Sequence, residues 1–588
     1  MKPRSNLFPL LAAAFALLGF PAQAGCNLQK LPDLPVTMKG PRAIVPAKVN
    51  GANGLFIIDT GAFFSSMSPA LVEKDKVKLG ASEFGLTVSG VGRGDAQYAV
   101  ATAQNFVFDG QSSHYNEFIV LQDTPGDSQD GSIGQNILGA FDVEYDFANG
   151  AIRLFHPSGC RDADLAYWDA SQTDSVVDIA SDRPLQPAMA SASINGVKIH
   201  VLFDTGSPRS ILSLSAAARA GIRPSDPGVT SSGYTSGVAR RSQFRIWTGR
   251  FASFKIGGEE IKNTPLQFGD IDLSGADMLL GADFFLSHRI LVSNSQHKIY
   301  FTYNGGPVFN LDTAPERTIA AAGSSAAVDS DGPRDAAGYA RRAAARVSRR
   351  ELADAIADLT QAIALAPADP DYLYERGRAE IANRQPSLGL ADFAAVLKLK
   401  PDHVPTLVAR AYVYWAARQP DQAKADLAAA AGFAQKYPDN RLAIGAAYVG
   451  IHLYRDAIPQ LDQWIAAHPV DGHRAAAFNE RCRARAQLGA ELDKALADCN
   501  AALKLEPGDP TMLDSRGLVL LRTGDLDKSI ADYDAALRLR PNTAWSLYGR
   551  GLAKLRKGHA ADGQADIAAA AAINPRLPDE ARAIGLTP

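Results

Sequence analysis

The chain has 588 residues, which is too long for a single hydrophobic core and predicts three or four domains. It carries 60 lysine and arginine residues against 63 aspartate and glutamate residues, and 46% of its residues are hydrophobic. This composition is typical of a folded globular protein. It argues against nucleic acid as the main partner, because there is no basic excess to neutralise phosphates.

The first 24 residues have the three parts of a secretory signal peptide. A basic start is followed by an apolar stretch at 7–20 and by a small-x-small cleavage site at 22–24. The apolar stretch is short for a membrane span, and no other stretch is long enough to cross a bilayer. We therefore expect cleavage after Ala24 and a periplasmic or secreted protein with no stable membrane span. An anchor that stays attached and a lipid anchor on Cys26 are the alternatives.

The chain has four cysteines: Cys26, Cys160, Cys482 and Cys499. In an oxidising compartment an even number of cysteines predicts disulfides. Sequence order favours the pairs Cys26–Cys160 and Cys482–Cys499, and buried free thiols are the alternative. The sequence has no Cys-x-x-Cys pair and no His-Glu-x-x-His motif, so it predicts neither a metal site nor a cofactor.

Residues 40–305 alternate short apolar stretches with turns rich in glycine, asparagine and aspartate, a pattern typical of all-β folds. Within them an apolar strand that ends in Asp-Thr-Gly occurs twice, at Asp59 and at Asp204, 145 residues apart. An Asn-Gly pair precedes each aspartate at the same distance, at 50–51 and at 195–196. Asn-Gly between two strands predicts a type I′ hairpin, so each aspartate is expected to follow a hairpin strand.

Two further features follow each Asp-Thr-Gly motif. An apolar pair before a glycine occurs at 137–139 in the first half and at 279–281 in the second. A glycine-rich stretch lies between the aspartate and this pair in both halves. It supplies the flap candidates Gly90, Gly92 and Gly94 in the first half, and Gly233, Tyr234 and Gly237 in the second.

These paired features resemble the lobes of retropepsin/pepsin-type aspartic proteases over residues 40–305. We therefore predict an all-β bilobal fold, with lobe 1 at 25–160 and lobe 2 at 161–310. The resemblance implies that Asp59 and Asp204 form one catalytic dyad without a metal or cofactor. It also implies a peptide or protein substrate in the cleft between the lobes, and threonines hydrogen-bonded across the lobe interface. The residues expected to support the dyad are Thr60, Gly61 and Ala62 in lobe 1, and Thr205, Gly206 and Ser207 in lobe 2.

The residue after each Asp-Thr-Gly differs between the two lobes. Ala62 has no side-chain donor, whereas the hydroxyl of Ser207 can donate a hydrogen bond to Asp204. A hydrogen bond to the charged form of a carboxyl group favours ionisation. We therefore predict an asymmetric dyad in which Asp204 is ionised more often and Asp59 is protonated more often.

Residues 311–335 consist mainly of alanine, serine, glycine, aspartate and proline, which predicts a flexible linker. After it, at 336–582, Leu- and Ala-rich helical stretches end at prolines spaced 31 to 38 residues apart. The spacing resembles that of tetratricopeptide repeats, so we predict about seven repeats in an all-α solenoid. The prolines are Pro367, Pro401, Pro438, Pro469, Pro507, Pro541 and Pro575.

Solenoids of this kind present a curved surface that binds peptides or proteins, so the resemblance implies a protein partner in the repeat groove. A spacer or a self-association surface is the alternative for the repeats. For the whole chain we predict an exported aspartic endopeptidase whose repeats recruit a substrate or another protein. The alternative is a non-catalytic periplasmic scaffold, in which the repeats act and the lobes bind an extended peptide without cleaving it.

Overall fold

The described part of the chain forms two compact units. The first unit holds most of both β lobes and continues to Leu365, and the second holds the helices from Ala366 onward. The predicted signal peptide, most of the predicted linker and the flap candidates Gly90, Gly92, Gly94 and Gly237 lie outside the described residues. The computed structural model describes residues 26–80, 86–89, 95–108, 110–121, 129–168, 175–180, 187–236, 243–273, 275–306, 308–309, 333–469, 471 and 473–587.

Lobe 1 is a β structure with two short helices. The elements are β1 (Asn27–Lys30), β2 (Leu34–Pro35), β3 (Thr37–Lys39), β4 (Arg42–Val49), β5 (Ala52–Ile58), β6 (Ser66–Met67), α1 (Pro69–Lys74), β7 (Lys78–Leu79), β8 (Leu86–Ser89), β9 (Asp95–Phe108), β10 (Gln111–Leu121), β11 (Gly131–Ile133), α2 (Gln135–Leu138), β12 (Asp142–Asp146), a 3-10 turn (Phe147–Asn149) and β13 (Ala151–Ser158). In the described residues one sheet runs in the order β3-β4-β5-β11-β6-β10-β9-β7, with β8 paired to β9.

Lobe 2 repeats the same plan. Its elements are β14 (Ser175–Asp178), β15 (Met189–Ile194), β16 (Val197–Phe203), β17 (Ile211–Ser213), α3 (Leu214–Arg219), β18 (Thr230–Ser236), β19 (Gln243–Ile256), β20 (Glu259–Gly269), β21 (Met278–Leu280), α4 (Ala282–Ser287), β22 (His288–Ser293) and β23 (Lys298–Tyr303). The sheet of lobe 2 runs in the order β15-β16-β21-β17-β20-β19-β18 in the part that the structure describes. The flap candidates Gly233 and Tyr234 lie in β18.

Each lobe opens with a hairpin whose second strand ends next to an aspartate. The two-residue turns have positive φ at both positions: 50° at Asn50, 91° at Gly51, 48° at Asn195 and 79° at Gly196. Positive φ at both turn residues is the type I′ geometry, which asparagine and glycine adopt at low cost. The two predicted hairpins, β4–β5 and β15–β16, are therefore confirmed.

A further sheet joins the lobes in the order β1-β13-β12-β22-β23-β14. Its central pair is β12 of lobe 1 against β22 of lobe 2, running antiparallel. A buried carboxylate crosses this junction: Glu144 accepts hydrogen bonds from Arg153 of its own lobe and from Arg289 of lobe 2. The disulfide Cys26–Cys160, the pair that sequence order favours, links the start of β1 to the segment after β13.

The first helix pair belongs to the β unit. Helices α5 (Ala336–Ser348) and α6 (Leu352–Leu365) pack on each other, and α5 also packs on β3 and on the 3-10 turn of lobe 1. Ala345 of α5 is fully buried in the same hydrophobic core as the strands of both lobes. The boundary between the two compact units therefore lies after α6, one helix pair beyond the predicted linker.

The second unit is an array of antiparallel helix pairs, and the all-β lobes with this array confirm the predicted fold class. Among the described residues no helix has the length and apolar character of a membrane span. The helices are α7 (Pro370–Ala382), α8 (Pro386–Leu399), α9 (Val404–Ala416), α10 (Pro420–Phe433), α11 (Arg441–Gly450), α12 (Tyr454–Ala467), α13 (Arg474–Leu488), α14 (Leu492–Leu505), α15 (Pro510–Thr523), α16 (Leu526–Leu539), α17 (Ala544–Arg556), α18 (Ala560–Ile573) and α19 (Leu577–Ala583).

An arginine–aspartate fork holds most of the helix pairs together. An arginine on the first helix donates through Nε and Nη2 to an aspartate on the second helix, at 2.6–2.9 Å. Such two-point contacts fix orientation as well as distance. The α13–α14 pair also carries the disulfide Cys482–Cys499. The forks join Arg342–Asp358, Arg376–Asp392, Arg410–Asp426, Arg481–Asp498, Arg516–Asp532 and Arg550–Asp566.

Candidate active site

The structure brings Asp59 and Asp204 together at the lobe interface. Each aspartate follows a strand that lies between its hairpin partner and a parallel neighbour, β11 in lobe 1 and β21 in lobe 2. The N–H of Asp59 donates to the carbonyl of Ile133 at 3.0 Å, and the N–H of Asp204 donates to that of Leu280 at 2.9 Å. Both aspartates are thereby held at equivalent places, and their carboxyl groups are in hydrogen-bonding contact.

The two threonines lock the motifs to each other across the interface. The N–H of Thr60 donates to Oγ1 of Thr205 at 3.1 Å, and the N–H of Thr205 donates to Oγ1 of Thr60 at 2.9 Å. Each hydroxyl also donates to a carbonyl of the opposite lobe, of Phe203 at 2.8 Å and of Ile58 at 2.6 Å. Both threonines are fully buried, so these four hydrogen bonds have no competition from solvent.

The glycine of each motif packs against the carboxylate of the opposite lobe. A Cβ on Gly61 would lie 2.4 Å from Cγ of Asp204, and a Cβ on Gly206 would lie 2.4 Å from Cγ of Asp59. Neither glycine has a left-handed backbone, so the requirement here is space and not conformational freedom. Any side chain at either glycine would push the carboxyl groups apart.

The environment of the carboxyl groups differs between the lobes. Burial and the charge of Asp204 raise the pKa of Asp59 well above its ordinary value, and its counteracting hydrogen bonds include one from the N–H of Ala62. Burial also raises the pKa of Asp204, but the N–H groups of Ser207 and Gly206 donate to its Oδ1 and oppose this rise. These backbone donors therefore favour the charged form of Asp204 more than that of Asp59.

This asymmetry has the predicted direction but a different cause. The Ser207 hydroxyl donates to the carbonyl oxygen of Arg209 at 2.8 Å and not to Asp204. The donor to Asp204 is the backbone N–H of Ser207, at 3.2 Å, which any residue except proline supplies. The predicted role of the Ser207 side chain is therefore wrong, because a nearer carbonyl takes its hydrogen bond.

A serine behind each aspartate holds the motif to the helix that follows β11 or β21. In lobe 1 the N–H and the hydroxyl of Ser65 both donate to Oδ1 of Asn136 at 2.8 Å. In lobe 2 the N–H and the hydroxyl of Ser210 donate to Oδ1 of Asp283 at 2.8 and 2.6 Å. Sequence reasoning missed these four residues, although each serine follows its aspartate by six positions and could have been found from that repeat.

The same network corrects the predicted alignment of the lobes. The N–H of Gly134 donates to Oγ of Ser65 at 3.0 Å, and the N–H of Gly281 donates to Oγ of Ser210 at 2.9 Å. The lobe 1 counterpart of Gly281 is therefore Gly134 and not Gly139, so the predicted match between 137–139 and 279–281 is wrong by five positions. The error arose because lobe 1 has the less apolar sequence Gly-Ser-Ile in β11.

Asp283 is a third buried carboxyl group near the dyad, and its counterpart in lobe 1 is the neutral Asn136. Burial raises the pKa of Asp283 to about 6, although its hydrogen bonds from Ser210 and from the N–H of Phe284 lower it. Lobe 2 therefore carries at this position a group that changes charge in mildly acidic conditions, whereas the amide of Asn136 at the equivalent position of lobe 1 does not titrate.

The predicted flap residues are only partly within the described chain. The flap residues Gly90, Gly92, Gly94 and Gly237 lie outside the described part of the chain, and for Gly233 and Tyr234 only the strand is described. Phe63 and Phe64 follow the lobe 1 motif, pack edge to face at 4.5 Å and are more than a third exposed. Among the described residues, no cluster of three or more histidine, cysteine or acidic side chains is arranged to hold a metal ion.

Comparisons with known proteins agree with this architecture. Residues 45–137 and 190–284 match the family model described as aspartyl protease, and residues 517–558 match that of a TPR repeat. A comparison with curated proteins gave no match. The chain thus carries two aspartyl-protease lobes followed by tetratricopeptide repeats.

Similar solved structures are repeat proteins. A tetratricopeptide repeat protein from Parabacteroides merdae ATCC 43184 is 16% identical, covering 43% of this chain and 98% of its own, with a TM-score of 0.34. PilW, described as a widely conserved type IV pilus biogenesis factor, is 16% identical over 37% of this chain and 97% of its own, with a TM-score of 0.31. YrrB, described as a TPR protein with an unusual peptide-binding site, is 18% identical over 33% of this chain and 97% of its own, with a TM-score of 0.27.

Proposed function

We propose that this chain, which carries two aspartyl-protease lobes and tetratricopeptide repeats, is an exported aspartic endopeptidase. The observation that carries the proposal is the reciprocal arrangement of Asp59 and Asp204. Their carboxyl groups are in contact, each packs against the glycine of the other lobe, and two threonines hold the motifs across the interface. A turn aspartate with only a local role has no need of such an arrangement.

The chemistry follows from the asymmetry of the pair. Asp204, which holds the charge, takes a proton from a water molecule, and the water oxygen attacks the carbonyl carbon of the substrate. Asp59, which holds the proton, donates it to the carbonyl oxygen, so a tetrahedral diol forms without a covalent bond to the enzyme. Asp204 then returns its proton to the amide nitrogen and the C–N bond breaks. Asp59 recovers a proton from the diol, which restores the starting state.

Export and recruitment complete the proposal. Two disulfides suit an oxidising compartment, which supports a periplasmic or secreted protein with the first 24 residues as its signal peptide. The second unit supports protein binding, because large apolar side chains on neighbouring helices stay exposed. These side chains are Leu388, Leu399, Tyr412 and Trp415. The partner we infer is the substrate protein or an adaptor that delivers it.

The test is cleavage of a mixed peptide library by the purified mature chain from acid to neutral pH. Wild type is compared with Asp59→Asn and Asp204→Asn, and with Asp178→Asn as the matched change at an exposed aspartate. We expect each dyad variant to lose at least about 1,000-fold in kcat, since paired groups act as a unit, and Asp178→Asn to retain wild-type activity. A pepstatin-like inhibitor should block the wild type.

Other outcomes would change the proposal. Cleavage that survives in one dyad variant would contradict a shared active site. A folded wild type that cleaves no peptide at any pH would favour the non-catalytic scaffold that binds extended peptides.

A further inference from the structure

Helix α4 lies between the active-site loop of lobe 2 and the first repeat helix. It has six residues, Ala282–Ser287, and every one of them is buried. A short helix without solvent-exposed residues has little freedom to bend, because its side chains are packed on all sides. We therefore expect a displacement of one end of α4 to move the other end as well.

The amino end of α4 holds the loop that carries Asp204. The N–H of Ala282 donates to the carbonyl of Ser207 at 2.8 Å. One residue further, the carboxylate of Asp283 accepts the N–H and the hydroxyl of Ser210. Both contacts lie within six residues of Asp204 in the sequence, so the position of this helix end sets the position of the loop.

The carboxyl end of α4 is held by a residue outside the lobes. Arg349, the residue after α5, donates from Nη1 to the carbonyl oxygen of Leu286 at 3.0 Å, and its Nη2 pairs with Glu351 at 2.8 Å. Arg349 is only 9% exposed. A guanidinium at the end of a helix satisfies a carbonyl that has no partner within the helix, and it favours the negative end of the helix dipole.

Helix α5 also reaches α4 through lobe 1. Arg341 of α5 packs directly on Gly150: a Cβ added at Gly150 would lie 2.5 Å from Cβ of Arg341. Gly150 ends the 3-10 turn whose Phe147 packs against Phe285 of α4 at 5.7 Å. Phe285 in turn packs edge to face on Phe203, the residue before Asp204. The first repeat helix is thus connected to α4 by two routes: directly through Arg349, which follows its last residue, and indirectly through the 3-10 turn of lobe 1.

We propose that Arg349 is a positioning residue for the dyad: it holds α4 from the first repeat helix, and α4 holds the Asp204 loop. The protease unit is then incomplete without the first helix pair of the repeat array. The effect on catalysis rests on the proposed function, whereas the effect on the geometry of the dyad does not.

The test uses the full-length mature chain with the variants Arg349→Ala and Arg349→Lys. The matched control is Ser348→Ala, because Ser348 is the neighbouring residue but donates to the carbonyl of Gly40 in lobe 1. We expect Arg349→Ala to lower kcat about 10- to 100-fold with KM changed less than about twofold, since small misplacements of reacting groups are costly. Arg349→Lys, which keeps a charged donor, should recover part of the loss, and Ser348→Ala should match wild type.

A second measurement does not depend on activity. Asp59→Asn removes the effect of the dyad on thermal stability. The Tm difference between this variant and wild type, measured from acid to neutral pH, therefore gives the contribution of the dyad to stability. We expect this difference to shrink at least twofold in the Arg349→Ala background and to stay unchanged in the Ser348→Ala background.

The outcomes separate the two proposals. A wild type without peptidase activity overturns the proposed function, and the Tm measurements then decide the role of Arg349 alone. An Arg349→Ala variant with wild-type kcat, or one in which Asp59→Asn has its full effect on Tm, overturns the positioning role. A loss of kcat with equal losses in Arg349→Lys and Ser348→Ala overturns it as well, because the helix would then act only through general stability.

Discussion

Lobes 1 and 2 have the same backbone plan but different side chains around it. Both present a type I′ hairpin, an Asp-Thr-Gly motif and a serine six residues later that bonds to the helix behind. The atoms that form these contacts are mostly backbone N–H and carbonyl groups, or side chains that are identical in both lobes. Both lobes therefore share the groups that a twofold arrangement requires.

The side chains of the two lobes differ at positions where the shared active site requires a given chemical group from only one lobe. Asn136 in lobe 1 corresponds to Asp283 in lobe 2, and Ala62 corresponds to Ser207. At the junction, Glu144 and Arg289 stand at the same place, 85 residues after the aspartate of their lobe. A pair of identical lobes would bring like charges together here, so this difference favours lobe 1 with lobe 2 over either lobe with its own copy.

The largest expected effect comes from breaking what the lobes share. Gly61→Ala and Gly206→Ala each place a methyl group 2.4 Å from the opposite carboxyl carbon, so the dyad must separate. We expect either variant to lose at least about 100-fold in kcat, and the two losses to be similar because the contacts are symmetric. Peptide cleavage measures this. Gly80→Ala is the control, since its nearest neighbour would lie at an ordinary 3.5 Å. A loss in only one of the two glycine variants would contradict the symmetric packing.

A smaller effect concerns the charge difference at the junction. Glu144→Gln leaves Arg153 and Arg289 buried without their shared carboxylate, whose own pKa is lowered because the two guanidinium groups outweigh its burial. We expect a loss of about 3–5 kcal/mol in the free energy of unfolding. Asp33→Asn removes a half-exposed partner 3.7 Å from Arg153 and should cost less than about 1 kcal/mol. Denaturant unfolding of the full chain compares the two, and equal losses would mean that Glu144 does not join the lobes.

Asp283→Asn gives lobe 2 the same amide that lobe 1 has at the equivalent position, Asn136. The pKa of Asp283 is about 6 in the folded protein and 3.8 ordinarily, so its stabilising effect is present below about pH 4 and lost as the pH rises through 6. The variant has no such loss. We expect equal stability at pH 4 and a gain of about 2–3 kcal/mol for Asp283→Asn at pH 7. Tm measured against pH tests this, with Asp178→Asn as the exposed control; a constant difference across pH would contradict it.

The smallest effect is expected for Ser207→Ala, which makes the motif of lobe 2 like that of lobe 1. The hydroxyl donates to Arg209 and the dyad bond comes from the backbone N–H, which alanine keeps. The acid limb of the pH–rate profile should not move, and stability should fall by about 1 kcal/mol or less. A shift of that limb towards higher pH would instead show that the hydroxyl serves Asp204.

The sequence by itself determined the features that depend on neighbouring residues or on repetition. Asn-Gly sets the turn before each aspartate because few other residues accept positive φ twice, and the repeated Asp-Thr-Gly marks both lobes. Regular prolines mark the helix pairs because proline cannot continue a helix. Five of the arginine–aspartate forks join residues 16 positions apart, so this repeat could also have been found in the sequence, but sequence reasoning missed it.

Only the tertiary structure decided the contacts between distant residues. It showed that the Ser207 hydroxyl bonds to Arg209, that Gly134 and not Gly139 corresponds to Gly281, and that α5 packs in the core of the β lobes. In each case several partners were chemically possible. The choice among these partners depends on distances that are set by the packing of whole helices and strands, and the local sequence does not specify those distances.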